Sequence, residues 1–173
     1  HVLGTQDVGR IRILSGANGT QLSTIGGTNT DRNLGAALTS LGDVNGDHHA
    51  DFLIAAPDDD TNGSDAGVVH CISGASGASL WHRYGGTGDR FGRGLATTGD
   101  INLDRLPDCL AGAPDVSTSG YASSFSGKDG TGFFTYNYGQ KNAGFCVAGG
   151  DLNRDGIGDL VIGDPGYGAT SPD

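Results

Sequence analysis

Asp43-Val-Asn-Gly-Asp-His-His-Ala-Asp51 is the stretch on which the fold turns. It returns as Asp100-Ile-Asn-Leu-Asp-Arg-Leu-Pro-Asp108 and as Asp151-Leu-Asn-Arg-Asp-Gly-Ile-Gly-Asp159. Each copy sets oxygen side chains at positions 1, 3, 5 and 9, always as Asp, Asn, Asp, Asp. The candidate ligands are therefore Asp43, Asn45, Asp47 and Asp51, then Asp100, Asn102, Asp104 and Asp108, then Asp151, Asn153, Asp155 and Asp159. On a tight loop this spacing turns alternate side chains inward, and the carbonyl at position 7 (His49, Leu106, Ile157) is placed to join them. Three carboxylates, one amide oxygen and one backbone oxygen form a hard shell suited to calcium rather than zinc or copper. The expectation is one calcium ion per loop and three per chain. Turn propensity alone explains Asp, Asn and Gly in one loop, but not the same residue type at every ligand position three times. A helix-flanked calcium loop takes its last carboxylate at position 12. Here that position is Ile54, Ala111 and Ile162, so the loop is expected to join two strands.

Composition narrows the class. The chain has 173 residues, enough for one domain with a core. It carries 33 glycines and no methionine, which favours short strands and tight turns. Every one of the 20 acidic residues is Asp, a turn former, and none is the helix-favouring Glu. The formal net charge of -10 would fall to about -4 with three calcium ions bound. Nucleic acid and anionic membrane surfaces are poor partners at this charge, and their basic, aromatic-studded signature is missing. No apolar run approaches the about 20 residues that span a bilayer, and no signal peptide is seen. The first residue is His1, so the chain reads as processed or excerpted.

The loops begin 57 residues apart (43 to 100) and then 51 apart (100 to 151). Between them a second element repeats: Ser15-Gly-Ala-Asn-Gly-Thr-Gln-Leu22, Ser73-Gly-Ala-Ser-Gly-Ala-Ser-Leu80 and Ser126-Gly-Lys-Asp-Gly-Thr-Gly-Phe133, each with a hairpin-turn pair. A unit then reads as four strands. The first is rich in small residues (Leu34 to Leu41). The second is a continuous apolar run, Phe52–Ala56, Cys109–Ala113 or Leu160–Gly163, as expected for a strand held between two sheets. Pro57, Pro114 and Pro165 stop each run, since proline cannot donate to a ladder. The third alternates, as in Arg10-Ile-Arg-Ile13, with one wet face. The fourth follows the turn, as in Leu80–Tyr84. Four antiparallel strands repeating at this period predict an all-β protein built of β-propeller blades. The predicted division is residues 1–30 as a C-terminal half-blade, 31–88 and 89–141 as blades, and 142–173 as an N-terminal half-blade.

With Phe91-Gly92 and Gly112-Ala113-Pro114 in the middle unit, the pattern resembles the FG-GAP repeat of integrin alpha-subunit propellers and related bacterial extracellular proteins. Weaker forms are Leu34-Gly35 with Ala55-Ala56-Pro57, and Ala143-Gly144 with Gly163-Asp164-Pro165. The resemblance implies that calcium is held in the loop joining the first two strands, at one end of the propeller. It implies a cell-surface or extracellular binding, adhesion or scaffolding module without enzymatic activity. The family's usual glycine at position 6 is kept only at Gly156. His48 and Arg105 replace it, so strain is expected in those two loops.

Three blade equivalents do not close a ring, which takes about four to eight blades. Two readings stay open for the half-blades. One completes the other in a second copy of the chain, closing a six-bladed dimer or growing a filament, or both belong to a longer chain. The ligand, protein or glycan, is not legible. A structural filament protomer and a carbohydrate-binding propeller are the alternatives; Trp81 stands alone, without an aromatic platform in each unit. Cys71, Cys109 and Cys146 are expected to be buried small hydrophobes, Cys71 aligned with Ile13, Cys109 with Phe52 and Leu160, and Cys146 with Leu38 and Leu95. A disulfide between two of them stays open. His48 and His49 are expected on an exposed loop, and His70 and His82 on strands without a metal partner. Asn18-Gly-Thr20 and Asn62-Gly-Ser64 read as turns before glycosylation sites, and Asp58-Asp59-Asp60 as a solvated loop. Asp31, Asp89 and Asp115 show no asymmetric partner that would make a catalytic constellation.

Overall fold

The computed structural model describes residues 7–28, 30–114, 119–137, 139 and 142–167; Asp115 lies outside them. The described residues contain strands and turns and no helix. β1 (Arg10–Leu14) and β2 (Gln21–Gly26) form a two-stranded sheet. β3 (Ala37–Gly42), β4 (Asp51–Ala56), β5 (Val68–Ile72) and β6 (Ser79–Tyr84) follow as a four-stranded meander, and β7 (Gly94–Gly99), β8 (Asp108–Ala113), β9 (Tyr121–Phe125) and β10 (Gly132–Asn137) as a second. β11 (Cys146–Gly150) and β12 (Asp159–Gly163) form the last pair. Each of these strand pairs is antiparallel, with an isolated parallel bridge between Gly9 and Leu34, and the two meanders are β-propeller blades.

The second strands are the walls between layers. Along β4, Leu53 and Ala55 join Val69, Cys71, Phe91, Cys109, Ala111 and Ala113 in the core between the two blades. The alternate residues Ile54 and Ala56 join Ile11, Leu34, Val68 and Ile72 in a second core against β1–β2. The continuous apolar run thus reflects burial on both faces, with about 1.5–3 kcal/mol gained per fully buried large aliphatic side chain. The third strand departs from expectation. β1 alternates with wet positions, but β5 is buried on both faces because it too lies between layers; only His70 is part-exposed.

Phe91 plugs the gap between blades, edge-on to Phe125 at 5.7 Å and stacked near Tyr121 at 6.4 Å. Beside it the backbone of Gly92 turns through φ +89°, and a Cβ there would stand 2.6 Å from the Ala55 Cβ. Trp81 also joins blades: its indole N–H donates to the Gly127 carbonyl at 2.8 Å, so it is a packing residue and not a ligand platform.

The connections fall at two ends. Loops 43–51, 100–108 and 151–159 share one end with the turns between third and fourth strands; Gly74 and Gly127 of those turns donate to Asp51 and Asp108. The first strands β3, β7 and β11 lie side by side. Neighbouring loops accordingly meet, with Gly158 N donating to the Asp100 carbonyl at 3.2 Å. Segments 27–28, 30–36, 57–67 and 85–93 lie at the other end.

Several expectations need correction. Strand register sets Cys146 opposite Gly163, as Ala37 faces Ala55 and Gly94 faces Gly112. Its counterparts are therefore Ala37 and Gly94, not Leu38 and Leu95, and it is exposed. Cys71 and Cys109 are buried, and all three cysteines are free. Asp59 is fully buried rather than solvated, its carboxylate accepting the N–H and hydroxyl of Thr61. Asp58 and Asp60 instead accept from Asn33 and Arg32, so this loop is pinned to the segment before β3. Beyond these corrections, His70 Nε2 lies 3.5 Å from Asp31 Oδ1. It also lies against His82, ring to ring at 6.0 Å. Asp89 accepts the Tyr121 hydroxyl at 2.6 Å.

Two predictions follow from this geometry. Gly92→Ala combines a left-handed φ with a clash, and should cost about 2–4 kcal/mol. Gly19→Ala, at φ +72° with open space around it, should cost about 1–2 kcal/mol. Thermal melts of both variants check the contrast, and equal losses would contradict it. Burial lowers the His70 pKa below its ordinary 6.5, and the opposing pull of Asp31 does not restore it. The folded state therefore binds fewer protons there than the unfolded chain, and the stability this gives is full above about pH 6.5 and lost as pH falls below it. His70→Gln should flatten that part of the stability-against-pH curve measured by denaturant unfolding.

Candidate functional site

The three Asp-rich loops have one hydrogen-bond pattern. The position 1 carboxylate accepts N–H groups from positions 5 and 6: Asp43 from Asp47 and His48, Asp100 from Asp104 and Arg105, Asp151 from Asp155 and Gly156, all at 2.7–3.1 Å. The position 3 amide oxygens of Asn45, Asn102 and Asn153 accept the position 5 N–H. Their amide nitrogens donate back to Asp47, Asp104 and Asp155. Each position 5 carboxylate also takes the N–H of His49, Leu106 or Ile157. The polar side chains of positions 1, 3 and 5 thus bond to the loop's own backbone.

Position 9 has a different job. Asp51 and Asp108 are fully buried, and Asp159, on the last strand pair, is part-exposed. Asp51 accepts Val44 N and Gly74 N, each at 3.0 Å; Asp108 accepts Ile101 N at 2.7 Å and Gly127 N at 3.1 Å. Asp159 accepts Leu152 N at 2.7 Å. This carboxylate fastens the loop to its own start and, in the two blades, to the neighbouring turn. A buried ion so placed is retained only because donors surround it.

The electrostatics divide along the same line. Burial pushes Asp43 up, but the N–H groups of His48, Gly46 and Asp47 outweigh it and hold the carboxyl below its ordinary value. Asn45 and the His49 N–H lower Asp47, and the Ile157 N–H and Asn153 lower Asp155. Asp108 moves the other way: burial raises it beyond what its N–H donors recover, and nearby Asp104 adds to the rise.

The backbone carries strain that the sequence only half revealed. Position 6 is left-handed in all three loops, at φ 68° for His48, 72° for Arg105 and 85° for Gly156. Position 4 is left-handed as well, at Gly46 (82°), Leu103 (63°) and Arg154 (66°). Four of these six residues have a Cβ, each at a cost of about 1–2 kcal/mol. The Asx-type side-chain bonds of positions 1, 3 and 5 hold the chain in that conformation. The signal for position 4 was Gly46 alone, masked by Leu103 and Arg154.

Among the described residues, no group of three His, Cys, Asp or Glu side chains closes on a common point as a preformed cage. The donor chemistry nevertheless fits a hard divalent cation. Carboxylate and amide oxygens have two lone pairs each; Asp43 Oδ1, Asp108 Oδ2 and Asp159 Oδ2 each take two N–H groups, whereas Asp43 Oδ2 and the side-chain oxygens of Asn45, Asp100, Asn102, Asp104, Asn153 and Asp155 take one each and keep acceptor capacity. The rest of the molecule offers less. Burial raises the Cys71 thiol to about 12 and raises Cys109 further, so neither is a nucleophile. His48 and His49 are exposed, as expected. Asn18 and Asn62 both sit in turns, with Asn18 Oδ1 accepting from Thr20 and Asn62 Nδ2 donating to the Gly85 carbonyl.

Comparison with known proteins agrees with this arrangement. The sequence model of the FG-GAP repeat family matches residues 35–70, which run from the first strand through the loop to the third strand of the first complete blade. Mouse integrin alpha-M is 42% identical over 88 residues, covering 46% of this chain and 7% of that protein. Human integrin alpha-X is 38% identical over 88 residues, with the same coverage. Mouse integrin alpha-E is 32% identical over 138 residues, covering 69% of this chain and 11% of that protein. The chain therefore spans only about a tenth or less of the length of these relatives. Among the described residues no helix is long and apolar enough to cross a membrane. Repeated strand meanders, the loops between their first two strands and these matches together make the chain an FG-GAP repeat protein that resembles the integrin alpha-subunit propellers.

Proposed function

We propose that the chain is a calcium-stabilised, non-enzymatic segment of an extracellular adhesion-type propeller, acting as a binding or scaffolding module. The observation that carries this is the loop pattern: three loops with one order of oxygen side chains, folded alike at one end of the molecule. Positions 1, 3, 5 and 9 and the position 7 carbonyl would hold the ion, which would supply positive charge where three carboxylates crowd. Binding to the folded state alone stabilises it by about 2.7 kcal/mol at a hundredfold excess over Kd. The extracellular placement and the adhesion role rest on likeness to the integrin alpha subunits.

Open edges support a second element of this reading, completion of the half-blades. Among the described residues β1 pairs only with β2, and β12 only with β11. A cavity of about 420 Å³ beside β1, lined by Ile11, Ile13, Leu38 and Phe52 among others, lies where the first two strands of that blade would fall. The strands that fill it come from the remainder of a longer chain or from a second copy. A filament protomer would be the extended version of such exchange, and a glycan-binding role has less support, since Trp81 is engaged between blades.

Melting curves in calcium and in chelator test the first element. Calcium should raise the midpoint, Asp155→Ala should remove one of three ions counted by titration calorimetry, and a midpoint indifferent to calcium would sink the proposal. Light scattering tests the second. A mass near twice 17.5 kDa would indicate exchange between two copies, megadalton species a filament, and a 17.5 kDa monomer would leave completion to a longer chain.

A further inference from the structure

At the end away from the calcium loops, the units enter their first strands alike, and one unit departs from the pattern twice. Asn33, Arg90 and Asn142 hold corresponding places, two residues before Gly35, Gly92 and Gly144, and all are left-handed, at φ 66°, 52° and 65°. Asparagine tolerates that conformation; arginine takes it at a conformational cost. Three residues later the counterparts are Ala36, Arg93 and Phe145. The middle unit therefore brings two guanidinium groups to a place where the others have none.

Arg90, Arg93, Asp58, Pro57, Pro114 and Phe145 line one cavity of about 200 Å³. Pro57 follows β4, Pro114 follows β8 and Phe145 precedes β11, so the cavity opens where successive first and second strands meet at that end. Arg93 is exposed, and its guanidinium carbon lies 5.3 Å from the centre of the Phe145 ring. Among the described residues no carboxylate comes within ion-pair distance of Arg93. Arg90 reaches Asp58 only at 4.0 Å and Asp65 at 3.8 Å, whereas Arg32 meets Asp60 at 2.9 Å nearby. Both guanidinium groups thus keep N–H donors unspent, in a chain of net charge -10.

We propose that this cavity receives one acidic side chain of a protein partner. The planar fork of arginine matches a carboxylate in bidentate fashion. Asp58 and Asp65 both lie against Arg90, so the guanidinium left for a ligand is that of Arg93, whose single charge one carboxylate neutralises. The proline and phenylalanine walls suit the aliphatic stem that carries such a carboxylate. This deepens the binding-module reading by naming the face and the partner's chemistry, and it is independent of the calcium loops at the opposite end.

The test is titration of the chain with acetyl-Gly-Glu-Gly-amide and its glutamine counterpart, followed by the Nε–Hε resonance of Arg93. The glutamate peptide should shift that resonance saturably, and the glutamine peptide should bind about tenfold more weakly or worse. Arg93→Gln should abolish the response of the remaining arginine, Arg90, while leaving the melting midpoint in place. Arg93→Lys, which keeps the charge and loses the fork, should weaken binding several-fold. The proposal is overturned by equal binding of the two peptides, or by no shift up to about 10 mM peptide. It is equally overturned if acetate competes as well as the peptide, since the site would then take free carboxylates only. A chain that binds the glutamate peptide but melts identically with and without calcium would refute the calcium reading and leave this one intact.

Discussion

Burial of the second strand on both faces is the constraint on which the rest depends. β4 faces one core through Leu53 and Ala55 and another through Ile54 and Ala56, so each layer is stable only between neighbours. That requirement sets the small residues along the first strands, the glycines where backbones approach and the aromatic plug at Phe91. It also explains the outer pairs. β11 and β12 carry the same sequence pattern as β7 and β8, but Val161 and Cys146 stay exposed because no layer covers them.

The Asp-rich loops answer a second need. Each must reverse the chain between two buried strands while keeping polar backbone satisfied. Position 9 does this from inside, as a buried carboxylate bonded to loop and turn, and positions 1, 3 and 5 do it from outside. Left-handed backbone at positions 4 and 6 is the cost of so tight a turn. A cation would add to a scaffold already organised by N–H donors, and relieve the like charges drawn together. The loops are therefore at once connections and candidate ligand sites.

The two ends have diverged accordingly. At the loop end the oxygen-bearing positions 1, 3, 5 and 9 repeat in every unit, as a structural role demands. At the other end they differ: Asn33, Arg90 and Asn142 share a backbone conformation but not a chemistry, as do Ala36, Arg93 and Phe145. Function in a repeat protein is sought where the repeat breaks, and here it breaks around one cavity.

Sequence alone determined the all-β class and the four-strand unit. These follow from local chemistry repeated three times: alternation, proline stops, glycine turns and identical acid spacing. It misjudged what depends on neighbours distant in the chain. Asp59 looked solvated within an acidic run, yet Thr61 and the surrounding layer bury it. Cys146 was aligned one residue out, and only strand register against Gly163 corrected it. His70 and Asp31 are 39 positions apart in sequence, and their contact exists because the segment before β3 folds over the first blade. The pairing of Arg93 with Phe145 likewise required two blades to be set side by side. Periodicity is written into adjacent residues, whereas burial, register and the lining of a cavity are properties of surfaces that meet only in the folded chain.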